Sequence, residues 1–111
     1  PTIVANMKYS VIEYDYKFCK WRSPDKHKAL GGEDCNCANE MQGKIFSAFL
    51  YGAQTLWWMS EKQQETYHSM FPFLQERDNV VLSSIFDDTT FSSINELKEK
   101  YKDTERKGWV Y

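Results

Sequence analysis

Apolar residues recur at steps of three and four through residues 39–58, NEMQGKIFSAFLYGAQTLWW. Met41, Ile45, Phe49 and Leu56 form one row, and Phe46, Leu50, Ala53 and Trp57 form the next. That period predicts a helix, about 30 Å long if continuous. Two adjacent apolar rows make it the element around which the rest of the chain packs. The opposite side carries Glu40, Lys44, Ser47, Tyr51, Gln54 and Trp58. Tyr51 and Trp58 are large aromatics on a polar side. They either meet a sheet or a neighbouring helix, or stay exposed as partner anchors, a role in which Tyr and Trp predominate. Gly43 and Gly52 inside the helix imply close approach of another backbone or a kink, since each costs roughly 0.8–1 kcal/mol relative to alanine.

The flanking patterns are shorter. KYSVIEYDYKF, residues 8–18, alternates and predicts a strand, with Ser10, Ile12, Tyr14, Tyr16 and Phe18 on the more apolar face. Residues 19–37 hold turn chemistry, Ser23-Pro24-Asp25 and Gly31-Gly32, and read as a long loop or two short pieces. Ser60 followed by Gln63 is a capping-box pattern that opens a second helix over 61–71, stopped by Pro72. A single bent helix over 39–71 is the alternative. Residues 80–86 predict a second strand, a capping box from Ser93 to Glu96 opens a helix over 94–103, and Trp109–Tyr111 reads as a final strand. Residues 1–6 read as a vector-derived stretch or a short extension, with Thr2 to Ala5 a short strand if native. The fold class is α+β: one domain spanning 1–111, with a small mixed sheet of three or four strands packed against the long helix and two shorter ones.

Composition narrows the function. Lys and Arg number 14 against 16 Asp and Glu, a net charge of −2, which argues against a dedicated nucleic-acid coat. No apolar run approaches the ~20 residues needed to span a bilayer. No secretory leader pattern is present. The expected setting is cytoplasmic, where cysteines serve as free thiols or metal ligands.

All three cysteines, Cys19, Cys35 and Cys37, fall in one window with His27 between them, as C-x7-H-x7-C-x-C. Three thiolates and an imidazole are a complete tetrahedral set for structural zinc, although only the C-x-C is tight. The alternative is three unrelated thiols. The same window holds Lys17, Lys20, Arg22, Lys26 and Lys28, interleaved with Phe18 and Trp21. Basic charge and an aromatic platform suit nucleic acid, and a solvated strand end and loop would look the same. His68 and the acidic pairs Glu33-Asp34 and Asp87-Asp88 read as surface, loop and cap residues. No phosphate-binding glycine loop or hydrolase motif occurs.

These readings order three functions. The first is a small non-enzymatic module that binds a protein partner through Trp21, Tyr51 and Trp58 and flanking charges. In general character it is similar to small inhibitors and adaptors such as immunity or anti-defence proteins, without sharing a motif with them. The second is a nucleic-acid-binding domain using residues 17–28, with or without zinc. The third is an enzyme with a cysteine nucleophile.

Overall fold

A computed structural model of the chain describes residues 2–82, 86–105 and 107–108. The elements run α1 (Thr2–Asn6), β1 (Val11–Glu13), α2 (Pro24–Gly31), a 3-10 turn (Cys37–Asn39), α3 (Met41–Tyr51), β2 (Thr55–Trp58), α4 (Glu61–Met70), a 3-10 turn (Pro72–Glu76), β3 (Asp78–Val81) and α5 (Asp88–Lys100). This is an α+β fold with one three-stranded sheet. Among the described residues no helix is long and apolar enough to cross a membrane.

The sheet is parallel throughout, in the order β1-β2-β3, rather than mixed. Each pair of consecutive strands is separated by a helical crossover, and such a connection returns the chain in the same direction. Val11 lies opposite Leu56, and Glu13 opposite Trp58; Leu56 and Trp58 in turn face Asn79 and Val81. Leu56 and Trp58 point into the core, which also takes Phe18, Leu50, Ala53, Tyr67, Phe71 and Leu74. The rings interlock: Trp58 and Tyr67 centroids are 4.8 Å apart, and Phe18 meets Tyr67 and Phe71 edge-on at 5.2 and 5.3 Å.

The organising helix is shorter than its period suggests. It ends at Tyr51, capped by Gly52, and residues 55–58 form the central strand. Thr55-Leu56-Trp57-Trp58 is β-branched and aromatic, and the two neighbouring strands satisfy its backbone, so sheet pairing overrides the helical period. The helix is also rotated from its expected setting. Gly43, Ser47 and Leu50 are buried, whereas Met41 is 73% exposed and Ile45 also faces outward.

The other differences have equally local causes. The first strand is confined to three residues and its inner face is Val11 and Glu13; Ile12 and Tyr14 are exposed. Residues 2–6 are helical, not extended. Residues 61–70 form the expected helix, with Ser60 Oγ accepting from the Gln63 N–H. The Gln63 side chain returns to the Met59 N–H at 2.8 Å, one residue earlier than a standard capping box. The last helix starts at Asp88 because Asp87, not Ser93, caps it, accepting from the Thr90 N–H at 2.7 Å. The strand predicted over 80–86 is β3, ending at Val81; residues 83–85 and the proposed strand 109–111 lie outside the described residues.

Gly43 explains the rotation of α3. A Cβ there would meet the backbone of the preceding turn, at 2.9 Å from Ala38 Cα and closer still to the Cys37 carbonyl oxygen. Backbone cannot step aside as a flexible side chain can. Gly43→Ala therefore destabilises the fold by about 1–3 kcal/mol, although alanine is the better helix former by about 1 kcal/mol. Urea unfolding of the variant beside the parent chain measures this; a stabilised variant would refute the close approach.

Candidate metal centre

The segment between β1 and α3 enters the core at its two ends, through Phe18 and Cys19 and through Cys37 and Ala38, and local backbone chemistry shapes the rest. Hydrogen bonds from the Cys19 N–H to Tyr16 and from the Arg22 N–H to Cys19, both 2.9 Å, fold residues 16–22 into consecutive turns. Arg22 closes them at φ 57°, a left-handed conformation uncommon outside glycine. Helix α2 is defined by its ends. Ser23 caps it by accepting from the Lys26 N–H at 3.2 Å, Pro24 occupies the first turn, and Gly32 ends it at φ 72°. Its only buried residue is His27, and Leu30 is exposed.

These turns bring four donors to one point. Nδ1 of His27 lies 3.6 Å from Cys19 Sγ and 3.5 Å from Cys37 Sγ, and the Cys19 and Cys35 sulfurs are 3.6 Å apart. All four donor atoms fall within 4.8 Å of one another. An ion bound tetrahedrally at about 2.3 Å from sulfur and about 2.0–2.1 Å from nitrogen spaces its donors roughly 3.5–3.8 Å apart. The thiols are free, and the sulfur separation is far beyond the about 2.05 Å of a disulfide. Cys19, His27, Cys35 and Cys37 therefore sit together and can hold a metal ion. Cys19, Cys37 and His27 are buried, and Cys35 is half-buried at the outer edge.

The Cys35 thiol is poorly suited to act as a nucleophile. Burial, with the neighbouring Cys19 and Cys37 thiols, pushes Cys35 from 9.0 up to about 12. A thiol so reluctant to ionise offers no thiolate for attack at neutral pH. A bound cation reverses the preference, because it favours the deprotonated donors it coordinates.

The basic window around the cluster is largely neutralised. Lys17 pairs with Glu13 at 2.7 Å and Asp15 at 3.4 Å, Arg22 with Asp15 at 3.3 Å, and Lys28 with Asp34 at 2.7 Å. Among the described residues Lys20 and Lys26 carry no ion pair. Trp21 is 39% exposed on the same turns. Tyr51, 40% exposed, stands at the end of α3 beneath the Arg77 guanidinium and edge-on to Phe73. Trp58 is not a surface anchor. It is 0% exposed, its indole packed on Tyr67 and its Nε1–H donating to Asn79 Oδ1 at 2.8 Å. On a strand of period two it shares the inner face with Leu56, whereas a helical period sets it on the polar side. His68 is half-buried against the same Asn79 oxygen at 3.2 Å.

Glu13 was not legible as special. It ends β1 at 1% exposure, with Oε1 accepting from Lys17 Nζ at 2.7 Å and the Asp15 N–H at 3.1 Å, and Oε2 without a hydrogen-bond partner. Gln63 and Tyr67 close over it, both donating to the Asp15 carbonyl. Burial raises its pKa above 4.5, and the Lys17 hydrogen bond offsets this only in part. The negative charge of Glu13 adds to burial in raising Tyr67.

A group whose pKa is higher folded than unfolded contributes stability that is complete below the unfolded value and lost as pH rises through the folded one. Glu13→Gln keeps an acceptor for Asp15 and Lys17 and removes the titration. The variant should gain stability relative to the parent as pH rises above 4.5; urea midpoints across a pH series measure it, and a relative loss would mean that the Lys17 pair outweighs burial. Compared with known proteins, the chain matches no protein-family model, no curated protein and no solved structure.

Proposed function

We propose that the Cys19, His27, Cys35 and Cys37 cluster is a structural zinc site and that the chain is a zinc-stabilised, non-enzymatic module that binds a protein partner. The observation that carries the reading is the convergence of three sulfurs and one imidazole nitrogen within 4.8 Å. Thiolate and imidazole donors in tetrahedral array favour zinc over hard cations such as calcium or magnesium. Four protein donors complete the coordination and leave no position for substrate, the arrangement of structural rather than catalytic zinc. The ion would tie the turns after β1, helix α2 and the approach to α3 into one unit. Trp21, on those turns, and Tyr51, at the end of α3, are among the exposed aromatics and are the anchors proposed for a partner. Trp58 drops out of the anchor set.

The nucleic-acid reading keeps one supporting observation, the exposed Lys20 and Lys26 on either side of Trp21. The acidic partners of Lys17, Arg22 and Lys28 weigh against it. Retention of single-stranded RNA or DNA that falls steeply with salt would favour it over the protein-partner reading.

Native mass spectrometry of chain purified with zinc should give one ion per chain, lost on chelation and absent from Cys37→Ser. Zinc at 100 times its Kd should add about 2.7 kcal/mol of stability, a rise in Tm of about 10–20 °C. A metal-free mass, or an internal disulfide in its place, would end the zinc reading. For the partner, host proteins retained by the tagged chain provide the titrant. Trp21→Ala or Tyr51→Ala should weaken its binding by about thirtyfold, as expected for an anchor worth 2 kcal/mol; unchanged affinity in both would remove these anchors.

A further inference from the structure

The chain exposes more surface than its mass requires. A compact monomer of 13.2 kDa exposes about 6,400 Å², whereas this chain exposes 8680 Å². Its radius of gyration is 18.4 Å, against about 13 Å for a compact chain of this length. Two apolar faces stand out in that surplus.

The first is α5. The helix buries no residue, yet Phe91, Ile94, Leu97 and Tyr101 form one apolar stripe at helical spacing along it and past its end, each 43–54% exposed. The second is the outward side of α3, left bare by the rotation that Gly43 imposes. There Met41, Ile45, Phe46 and Phe49, with Ile3 and Val4 of α1, line an apolar groove of about 1160 Å³. A 13-residue helix is about 20 Å long, and an amphipathic helix enters such a groove through residues spaced as this stripe is.

We infer that α5 of one copy docks in the α1–α3 groove of a second copy, and that the exchange is reciprocal, giving a two-fold dimer. The area argues for a second copy over docking within one chain. Four half-exposed side chains contribute roughly 350 Å² per stripe, and the groove contributes less. One such contact buries about 600 Å², and the two contacts of a reciprocal dimer about 1,200 Å², which reaches the lower edge of the 1,200–2,000 Å² range of stable interfaces only when both form. Each copy carries both faces, so a two-fold axis satisfies both at once and leaves no open end. This assembly is independent of the zinc and partner readings, because neither the groove nor the stripe contains a metal donor, Trp21 or Tyr51.

The test is sedimentation equilibrium and small-angle scattering on the full chain purified with zinc. The parent chain should show a concentration-dependent dimer. Ile94→Asp combined with Leu97→Asp, on a helix that buries nothing, should raise the dimer Kd by about a hundredfold or more without changing the circular dichroism. Ile45→Asp, at an exposed groove position, should do the same. Mixing the two variants restores one of the two contacts and should return a heterodimer weaker than the parent dimer. The inference is overturned by a monomer at all concentrations, whether extended or contracted to about 13 Å with α5 folded back on its own chain. It is equally overturned by a dimer that survives either variant, or by a mixture that forms no heterodimer.

Discussion

The contact between Trp58 and Tyr67 is the one on which the other arrangements depend. Trp58 is on the central strand and fully buried, and Tyr67 brings α4 down onto it at 4.8 Å between ring centroids. Tyr67 in turn receives Phe18 edge-on. Phe18 is covalently next to Cys19, so the aromatic core sets the position of the first residue of the Cys/His cluster. On the far side Asn79 accepts from the Trp58 indole while its amide donates to the Leu74 and Arg77 carbonyls, tying β3 to the same centre. A short parallel sheet has few ladder hydrogen bonds of its own. Interlocked rings of large buried area supply the cohesion it lacks.

The middle of the crossover from β1 to α3 is organised differently. Its two ends enter the core through Phe18, Cys19, Cys37 and Ala38, whereas α2 contributes only His27 to the interior. So little burial repays few of the conformational restrictions that α2 imposes. The convergent thiols and imidazole can hold a metal ion, and a metal bond would link chain segments without needing apolar area. The close approach at Gly43 sets the Cys37 backbone against the start of α3. That contact joins the segment carrying the Cys/His cluster to the organising helix and turns the helix so that Met41 and Ile45 face out.

The neutralised basic window and the buried Glu13 belong to one electrostatic unit. Asp15 faces both Lys17 and Arg22, and Lys17 also reaches the Glu13 carboxylate. The apparent excess of positive charge between residues 17 and 28 is thus largely balanced by acids outside that window or at its far side. Charge runs read along a chain ignore such partners, and the fold supplies them.

Several features were determined by the sequence alone because their causes are local. The α+β class, the helix after Ser60 and a helix through residues 41–51 follow from capping and short-range period; the Ser23-Pro24-Asp25 and Gly31-Gly32 signals, read as turns, mark the two ends of helix α2. The identity of the four donors was also readable, since Cys19, His27, Cys35 and Cys37 are the chain's cysteines and the histidine among them; their convergence was not, because it depends on how β1, α2 and α3 stack. Tertiary structure alone decided that residues 55–58 are a central strand, since sheet pairing from both sides outweighs the helical spacing of Leu56 and Trp57. It decided likewise which side of α3 is buried, through the Gly43 backbone contact, and that Glu13 lies inside while Ile12 lies outside. In each case packing or pairing between elements chose between faces that the local pattern left nearly equal.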